Sequence, residues 1–394
     1  MLFIGFHNWR TAFSIAPDTV DFSQTRTTKF CKLLPLQGWT PWVLTVDPRY
    51  FGGKTTSYPS GDLKNVGFSR IPYLKFPGNT VVMKIVWSFL VLGFVLLHRR
   101  DIDAIYMSGS PFYPFPLTLP LTGVLGIPTV IDFRDSWSFN HGYDGTLRKG
   151  FRGTLRSLVY GFAEKIAVRY ASRVLFSTSV LQDEYAALIP GFDSKYHTIT
   201  NGIDLDDFSH VVPLRSSEKK TLVLAGQFRI YLNDVVNDFL KCLKSMPDVH
   251  FLYLGEESAY IADSARTSGV RDQVTALPFQ PYPRALQLIA GADAAVVATG
   301  LVNGMGTKIF DYLALNKPVL CLVPEGSIIK RVFGDKAPVV VSEAPHTFLK
   351  IFFGLQKVLA LKDFPSVPLD AYTRQEAARQ LADVLDNLVD GASP

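Results

Sequence analysis

Residues 301–320, LVNGMGTKIFDYLALNKPVL, place a glycine-rich turn, a helix and the start of an apolar strand in one short stretch. The Gly304-Met305-Gly306 turn lets backbone N–H groups come close to a ligand, because glycine brings no Cβ. A helix starting near Lys308 favours negative charge at its N-terminus, and the lysine adds a mobile cation. Asp311 lies three residues on, on nearly the same helix face, where it can accept sugar or ribose hydroxyls. Two readings stay open: a site for an anionic, sugar-bearing ligand, or a surface helix with a glycine turn and an incidental ion pair.

The closing strand of that stretch is one of many. In the first half, MLFIGF (1–6), WVLTV (42–46), AIYMSG (104–109), TVIDF (129–133) and VLFST (174–178) alternate with helical patterns such as 24–37. After the polar stretch VVPLRSSEKK (211–220) the rhythm restarts with TLVLAG, HFLYLG, VTAL, AAVVAT, PVLCLV and PVVVS. Apolar strands alternating with helices imply parallel sheets covered on both faces. The expected architecture is α/β, with two Rossmann-like doubly wound domains facing across a cleft. Their bounds are 1–205 and 221–370, joined by a linker at 206–220. The segment 371–394 carries an amphipathic helix with Ala378, Leu381, Leu385 and Leu388 on one side, expected to pack back towards the first domain. In such sheets ligands bind at the carboxyl ends of the strands.

Composition narrows the function classes. The chain of 394 residues exceeds one ordinary core, and 47% hydrophobic with 19% charged residues argues against disorder. A net charge of +5, spread along the chain, suits anionic ligands or an anionic membrane surface. A nucleic-acid binder would concentrate its basic residues, so no nucleic-acid partner is expected. Cys31, Cys242 and Cys321 are too far apart for a disulfide framework or zinc cluster, which points to a reducing cytosol. The N-terminus, MLFIGFHNWR, lacks a basic region before a long apolar run and reads as a first strand rather than a signal peptide. No phosphate-loop, serine-elbow or H-E-x-x-H pattern occurs. The pairs Asp101/Asp103 and Asp204/Asp206 read as element boundaries, so no metal is expected.

Two segments break the rhythm. Residues 81–100 are almost wholly apolar up to His98-Arg99-Arg100, interrupted by Lys84. They read as a buried helix, as one inserted by one face into a bilayer, or as a short span. In 147–170, Arg148, Lys149, Arg152 and Arg156 lie among apolar residues, as on a helix lying on an anionic membrane or a solvated charged helix.

The strand TVIDF ends in Arg134-Asp135-Ser136-Trp137, with His141 beyond. Arg134 can hold an anion, Asp135 can fix that arginine or accept a hydroxyl, and Trp137 offers a face to a sugar or lipid. A structural Arg–Asp pair with a tryptophan plug is the alternative. Asn201-Gly202 reads as a turn with positive φ. TLVLAGQFR ends a strand on Gly226 and adds Arg229 before a helix, a plausible anion site without a complete G-x-G-x-x-G.

Together TITNGIDLDDF, LVLAGQF, KIFDYLALNKPVL and the paired α/β halves resemble the family-4 glycosyltransferases, retaining enzymes of the GT-B fold. IDFRDSW, the segment from Arg26 to Phe30 and GWTPWVLTVDP resemble the branch that builds bacterial capsule, O-antigen and exopolysaccharide units on polyprenyl-diphosphate lipids. The resemblance implies a nucleotide-sugar donor, a lipid-linked or oligosaccharide acceptor and no cofactor or metal. It also implies peripheral attachment at the inner face of the cytoplasmic membrane through 81–100 and 147–170. Donor contacts fall on Gly226, Gln227, Arg229, Gly306, Thr307, Lys308 and Asp311. Acceptor contacts fall on Arg26, Arg134, Asp135 and Trp137, and catalysis on Asp135, His141, Arg229 and Lys308. Three positions depart from the family: Asn303 stands where a glutamate is usual, Gln227 replaces an arginine and Leu232 a lysine. A degenerate GT-B-like scaffold or sugar-nucleotide-binding subunit is therefore the alternative function.

Overall fold

The computed structural model describes residues 10–15, 26–46, 66–71, 80–109, 112–138, 151–334 and 338–391. The chain divides into two compact units, one running to Thr200 and resuming at Arg374, the other Asn201–Thr373. MLFIGF lies outside the described residues.

Among the described residues the first unit holds seven strands: β1 (Arg10–Ile15), β2 (Trp39–Val46), β3 (Gly67–Ile71), β4 (Ala104–Gly109), β5 (Thr129–Phe133), β6 (Arg173–Phe176) and β7 (Tyr196–Thr198). They pair in parallel in the order β3-β2-β1-β4-β5-β6-β7. Strands β4 and β5 are buried at every position, as strands covered on both faces must be. Helices α1 (Arg26–Leu33), α2 (Thr80–Leu97), α3 (Phe151–Tyr170) and α4 (Ser179–Leu188) supply the cover. One sheet face carries α2, residues 112–124, α3 and α4 around Trp87, Val91, Leu121, Val168 and Tyr185.

The second unit is a six-stranded parallel sheet in the order β10-β9-β8-β11-β12-β13. Its strands are β8 (Lys220–Ala225), β9 (Val249–Leu254), β10 (Val274–Leu277), β11 (Ala294–Ala298), β12 (Val319–Val323) and β13 (Val339–Glu343). Between them run α5 (Arg229–Lys244), α6 (Ser258–Thr267), α7 (Tyr282–Ala290), α8 (Lys308–Ala314) and α9 (Ile328–Phe333), and α10 (Phe348–Ala360) follows. The strand order reverses between β8 and β11, which is where an open α/β sheet forms its binding crevice. The polar stretch 211–220 is tied into this unit: Leu214 N–H donates to Gln287 O, and Gly291 leaves no room for a Cβ beside Leu214.

Gly202 is required for a reason other than the positive φ read from the sequence. Ile203 N–H donates to Tyr372 O at 2.9 Å, and a Cβ on Gly202 would lie 2.1 Å from that oxygen. Close backbone approach selects the glycine, whose φ is not positive.

The chain ends in α11 (Arg374–Asp390), which belongs to the first unit. Ala377, Ala378, Leu381 and Leu385 pack with Phe30, Leu33 and Trp39 on the sheet face opposite α2 and α3. Leu381 is fully buried, and all five tryptophans precede residue 200. Leu381→Ala is expected to lower the stability of the first unit by about 2–5 kcal/mol. Tryptophan fluorescence in a urea titration reads that unit alone, and an unmoved fluorescence midpoint would exclude this packing.

Candidate functional site

Strands β8 and β11 pair only at Ala294↔Leu222 and Ala295↔Val223, and then part. Ala225 N–H, beyond the last of these pairs, donates to the hydroxyl of buried Tyr312 on α8 at 2.8 Å. That bond pins α8 to the end of β8, and burial raises the Tyr312 phenol above its ordinary value. On the other side, Gly300 lies so close to α5 that a Cβ would sit 3.0 Å from Tyr231 O. The turns after β8 and β11 are therefore joined at two places around one crevice.

Each turn presents an open glycine. Gly226 has φ +116°, a conformation only glycine adopts easily, and a Cβ placed there would meet nothing within 4 Å. Its N–H donates to Leu254 O at 2.8 Å and its carbonyl accepts from Tyr253 Oη at 2.6 Å. A Cβ on Gly306 would likewise meet nothing within 4 Å, whereas one on Gly304 would lie 2.8 Å from Leu301 Cβ. Buried Met305 anchors the turn between them.

At the start of α8, Lys308 Nζ stands 3.4 Å from Asp311 Oδ2 and 5.4 Å above the Tyr282 ring. Tyr282 Oη donates to Asp311 Oδ1 at 3.0 Å. The lysine side chain is 39% exposed and the aspartate side chain 5%. Asp311 is thus engaged at both oxygens, by Tyr282 and by Lys308. Thr307 precedes the helix without a side-chain cap. At seven residues α8 has little summed dipole, so attraction for an anion there rests on Lys308. Asn303 lies in the preceding loop.

The β8 side is organised differently. Backbone N–H groups of Phe228, Arg229 and Ile230 all donate to the Glu257 carboxylate, at 2.7, 2.8 and 3.0 Å. The Arg229 guanidinium stacks over the Tyr260 ring at 4.3 Å, beside an open groove of about 540 Å³ lined also by Asn233, Glu256 and Ala259. Arg229 and Lys308 are held by different elements, α6 and α7. Gln227 is half-buried, and Leu232 interrupts the helical backbone at φ −140°, ψ 56°.

In the first unit, Arg134 follows β5 and donates through Nε to Gly109 O at 2.7 Å. Asp135 is exposed, yet protein packed around it raises its carboxyl against the opposing pull of Arg134. Trp137 stacks on Phe112 at 5.5 Å and 19° and lies 6.0 Å from Tyr160. Arg26, expected to meet an acceptor, is 2% exposed: Nε pairs with Asp132 Oδ2 at 2.6 Å and a terminal nitrogen donates to Thr200 O. Tyr106 Oη donates to the same Asp132 oxygen. Arg26 can meet a ligand only if this buried pair opens. His141 lies outside the described residues, as do Arg148 and Lys149. Among the described residues no group of three or more His, Cys, Asp or Glu side chains could hold a metal ion.

Two carboxylates that organise these loops were not singled out from the sequence. Glu257 is one; the other is Glu164 on α3, 1% exposed, which accepts hydrogen bonds from Ser138 Oγ and Tyr185 Oη beneath Trp137. Its sequence signal is that of a lone acid in a basic, apolar helix.

Comparison with known proteins gives a consistent picture of the architecture. No protein-family model and no curated protein matches the chain. Among solved structures, sucrose-phosphate synthase from Thermosynechococcus elongatus is similar at TM-score 0.66 and 13% identity, over 97% of each chain. WaaG, a glycosyltransferase involved in lipopolysaccharide biosynthesis, gives 0.62 and 16% over 97% of this chain and 98% of its own. Anabaena HepE in complex with UDP-glucose gives 0.59 and 12% over 97% of each. The chain has the GT-B fold. At these identities the likeness extends to the fold alone.

Glu164 yields a pH prediction for the Trp137 loop. Burial raises its carboxyl in the folded state, outweighing the hydrogen bonds from Ser138 and Tyr185. A raised acid binds its proton more tightly when folded, so its stabilising contribution is complete below the unfolded value and is lost as pH rises through the folded one. Wild type should thus lose stability relative to Glu164→Gln as pH climbs above the ordinary glutamate value of about 4.3. Urea midpoints read by tryptophan fluorescence check this; a pH-independent difference counts against it.

Proposed function

We propose that this protein is a glycosyltransferase that moves a sugar from a nucleotide-sugar donor to a saccharide acceptor. The observation that carries the reading is the parted β8–β11 crevice, with two open glycines and Lys308 held by Asp311 and Tyr282 at its edge. An open glycine admits a bulky ligand close to the backbone, and a half-exposed lysine on a buried acid supplies a placed positive charge. The GT-B likeness, which includes a structure bound to UDP-glucose, supports the same assignment.

In this reading Lys308 stabilises the negative charge that develops on the leaving nucleotide diphosphate as the glycosidic bond breaks. Gly306 and Gly226 let the donor approach the two turns, while Asp311 and Tyr282 position the lysine. Gln227, Thr307 and Arg229 border the donor. Transfer proceeds with retention at the anomeric carbon, and the charge comes from side chains without a metal. In the first unit, Asp135 orients or deprotonates the acceptor hydroxyl, since its raised carboxyl brings it nearer to a useful base. His141 shares that role, and Arg134 and Trp137 face the acceptor.

The acceptor is lipid-linked, in cell-surface polysaccharide synthesis of the capsule or exopolysaccharide kind, at the inner face of the cytoplasmic membrane. Support comes from α2 and α3, which share a sheet face. Trp87, Val91 and Val95 of α2 enter the core, while Ile85, Phe89 and Leu97 stay exposed, as do Leu158, Val159 and Phe162 of α3. Exposed Lys84, Arg99, Arg100 and Lys165 flank these side chains. Among the described residues no helix is long and apolar enough to cross a membrane, so contact is by insertion of one face. Phe89→Asp with Phe162→Asp should abolish co-sedimentation with vesicles rich in phosphatidylglycerol while leaving the fold intact by circular dichroism. Unchanged sedimentation excludes this face.

Lys308→Ala tests the chemistry. Loss of a charge contact made in the transition state should cost about 2–4 kcal/mol in transfer of radiolabelled sugar by membrane extracts. Activity within about threefold of wild type removes Lys308 from this role. Nucleotide binding without turnover over any donor favours the scaffold alternative, for which Asn303, Gln227 and Leu232 speak.

A further inference from the structure

In the turn ahead of the break at Leu232, three consecutive N–H groups converge on one point, a backbone arrangement that suits an anion. Here that point is filled by the chain itself. Glu257 arrives from the turn between β9 and α6 and takes the N–H groups of Phe228, Arg229 and Ile230. Tyr253 braces the arrangement, donating to Gly226 O at 2.6 Å and lying 3.4 Å from Glu257 Oε2. Gly255 makes the crossing possible, because a Cβ there would stand 2.7 Å from Gly226 O.

We infer that Glu257 is a specificity-determining residue that closes the α5 end of the crevice to phosphate, so that the donor's anionic part is received on the Lys308 side. The inference rests on the nucleotide-sugar reading above. Three features of the same turn agree with it. Gln227 is uncharged, Leu232 is apolar and turned out of helical geometry, and the Arg229 guanidinium is stacked on Tyr260 of α6. A second anion at the head of α5 would have to displace a carboxylate from three hydrogen bonds, or stand beside it and be repelled. The wild-type protein therefore grips a nucleoside diphosphate loosely at this end, and selects its donor through contacts elsewhere.

The sign of one change in affinity decides the matter. UDP, GDP, ADP and dTDP are titrated calorimetrically into the full-length wild type, Glu257→Ala and Glu257→Gln, with folding checked by thermal melting. Removing the carboxylate should tighten the best-bound nucleoside diphosphate by about tenfold in the alanine variant, the weight of one charge-assisted hydrogen bond. The glutamine variant keeps a near-isosteric cap, and should tighten binding by a smaller factor through loss of charge alone. Equal or weaker binding by the variants that fold, with wild type still binding, overturns the inference and leaves the nucleotide-sugar reading standing; a helix cap of purely structural role gives this result. Binding of no nucleoside diphosphate by any of the three proteins overturns the reading and the inference with it.

Discussion

The early parting of β8 and β11 is the constraint on which the second unit's chemistry depends. Two paired positions hold these strands together, whereas β8 and β9 pair over six. Beyond the parting, backbone groups lose their strand partners and must find others, because buried amides left unpaired are costly. Tyr312 answers for Ala225 N–H, and its ring then fixes where α8 begins. The crevice and the helix that edges it are one solution to one hydrogen-bonding problem. Its position follows from the chain's topology, since only where the strand order reverses do the connections leave in opposite directions.

The two rims of that crevice treat charge in opposite ways. On the α8 side a buried acid is satisfied by a tyrosine and a lysine, leaving the lysine head partly in solvent. On the α5 side the N–H groups of the turn that precedes the break at Leu232 are neutralised internally by Glu257. A carboxylate there holds the turn through three hydrogen bonds to backbone N–H groups. It also removes the positive end that an incoming anion would seek. At α5 the carboxylate is taken up in holding the turn, while at α8 the carboxylate holds a lysine whose head stays partly in solvent.

Much of the architecture is legible in the sequence because parallel strands buried on both faces leave unbroken apolar runs. AIYMSG, TVIDF, AAVVA and VLCLV each form a strand. GFSRI at β3 is an edge strand with polar positions, and its pattern does not separate it from a loop. The site is less legible. Lys308, Asp311 and Gly226 could be located from their place after strands, but Glu257 and Glu164 could not. Glu257 binds backbone N–H groups 27 to 29 residues away, and any residue type supplies an N–H. Arg26 shows the converse: the family resemblance put it among the acceptor contacts, yet its partner Asp132 is 106 residues distant and buries it. Spacing along the chain carries no trace of such pairings.

The first unit adds a further argument about where buried charge is placed. Arg26, Asp132 and Tyr106 form one closed polar group under α1, on the sheet face that α11 also covers. Glu164, Ser138 and Tyr185 form another under Trp137, on the opposite face. Both groups gather at the carboxyl side of β5, and between them runs the Arg134–Ser138 segment. A loop held from both faces by buried, hydrogen-bonded polar groups has few alternative conformations, since opening either group leaves a buried polar atom without its hydrogen bond. The same burial that makes Arg26 and Glu164 poor ligand contacts makes them effective in fixing Arg134 and Asp135. Rigidity at the end of β5 is thus obtained by withdrawing some charged residues from solvent so that their neighbours can be presented to it.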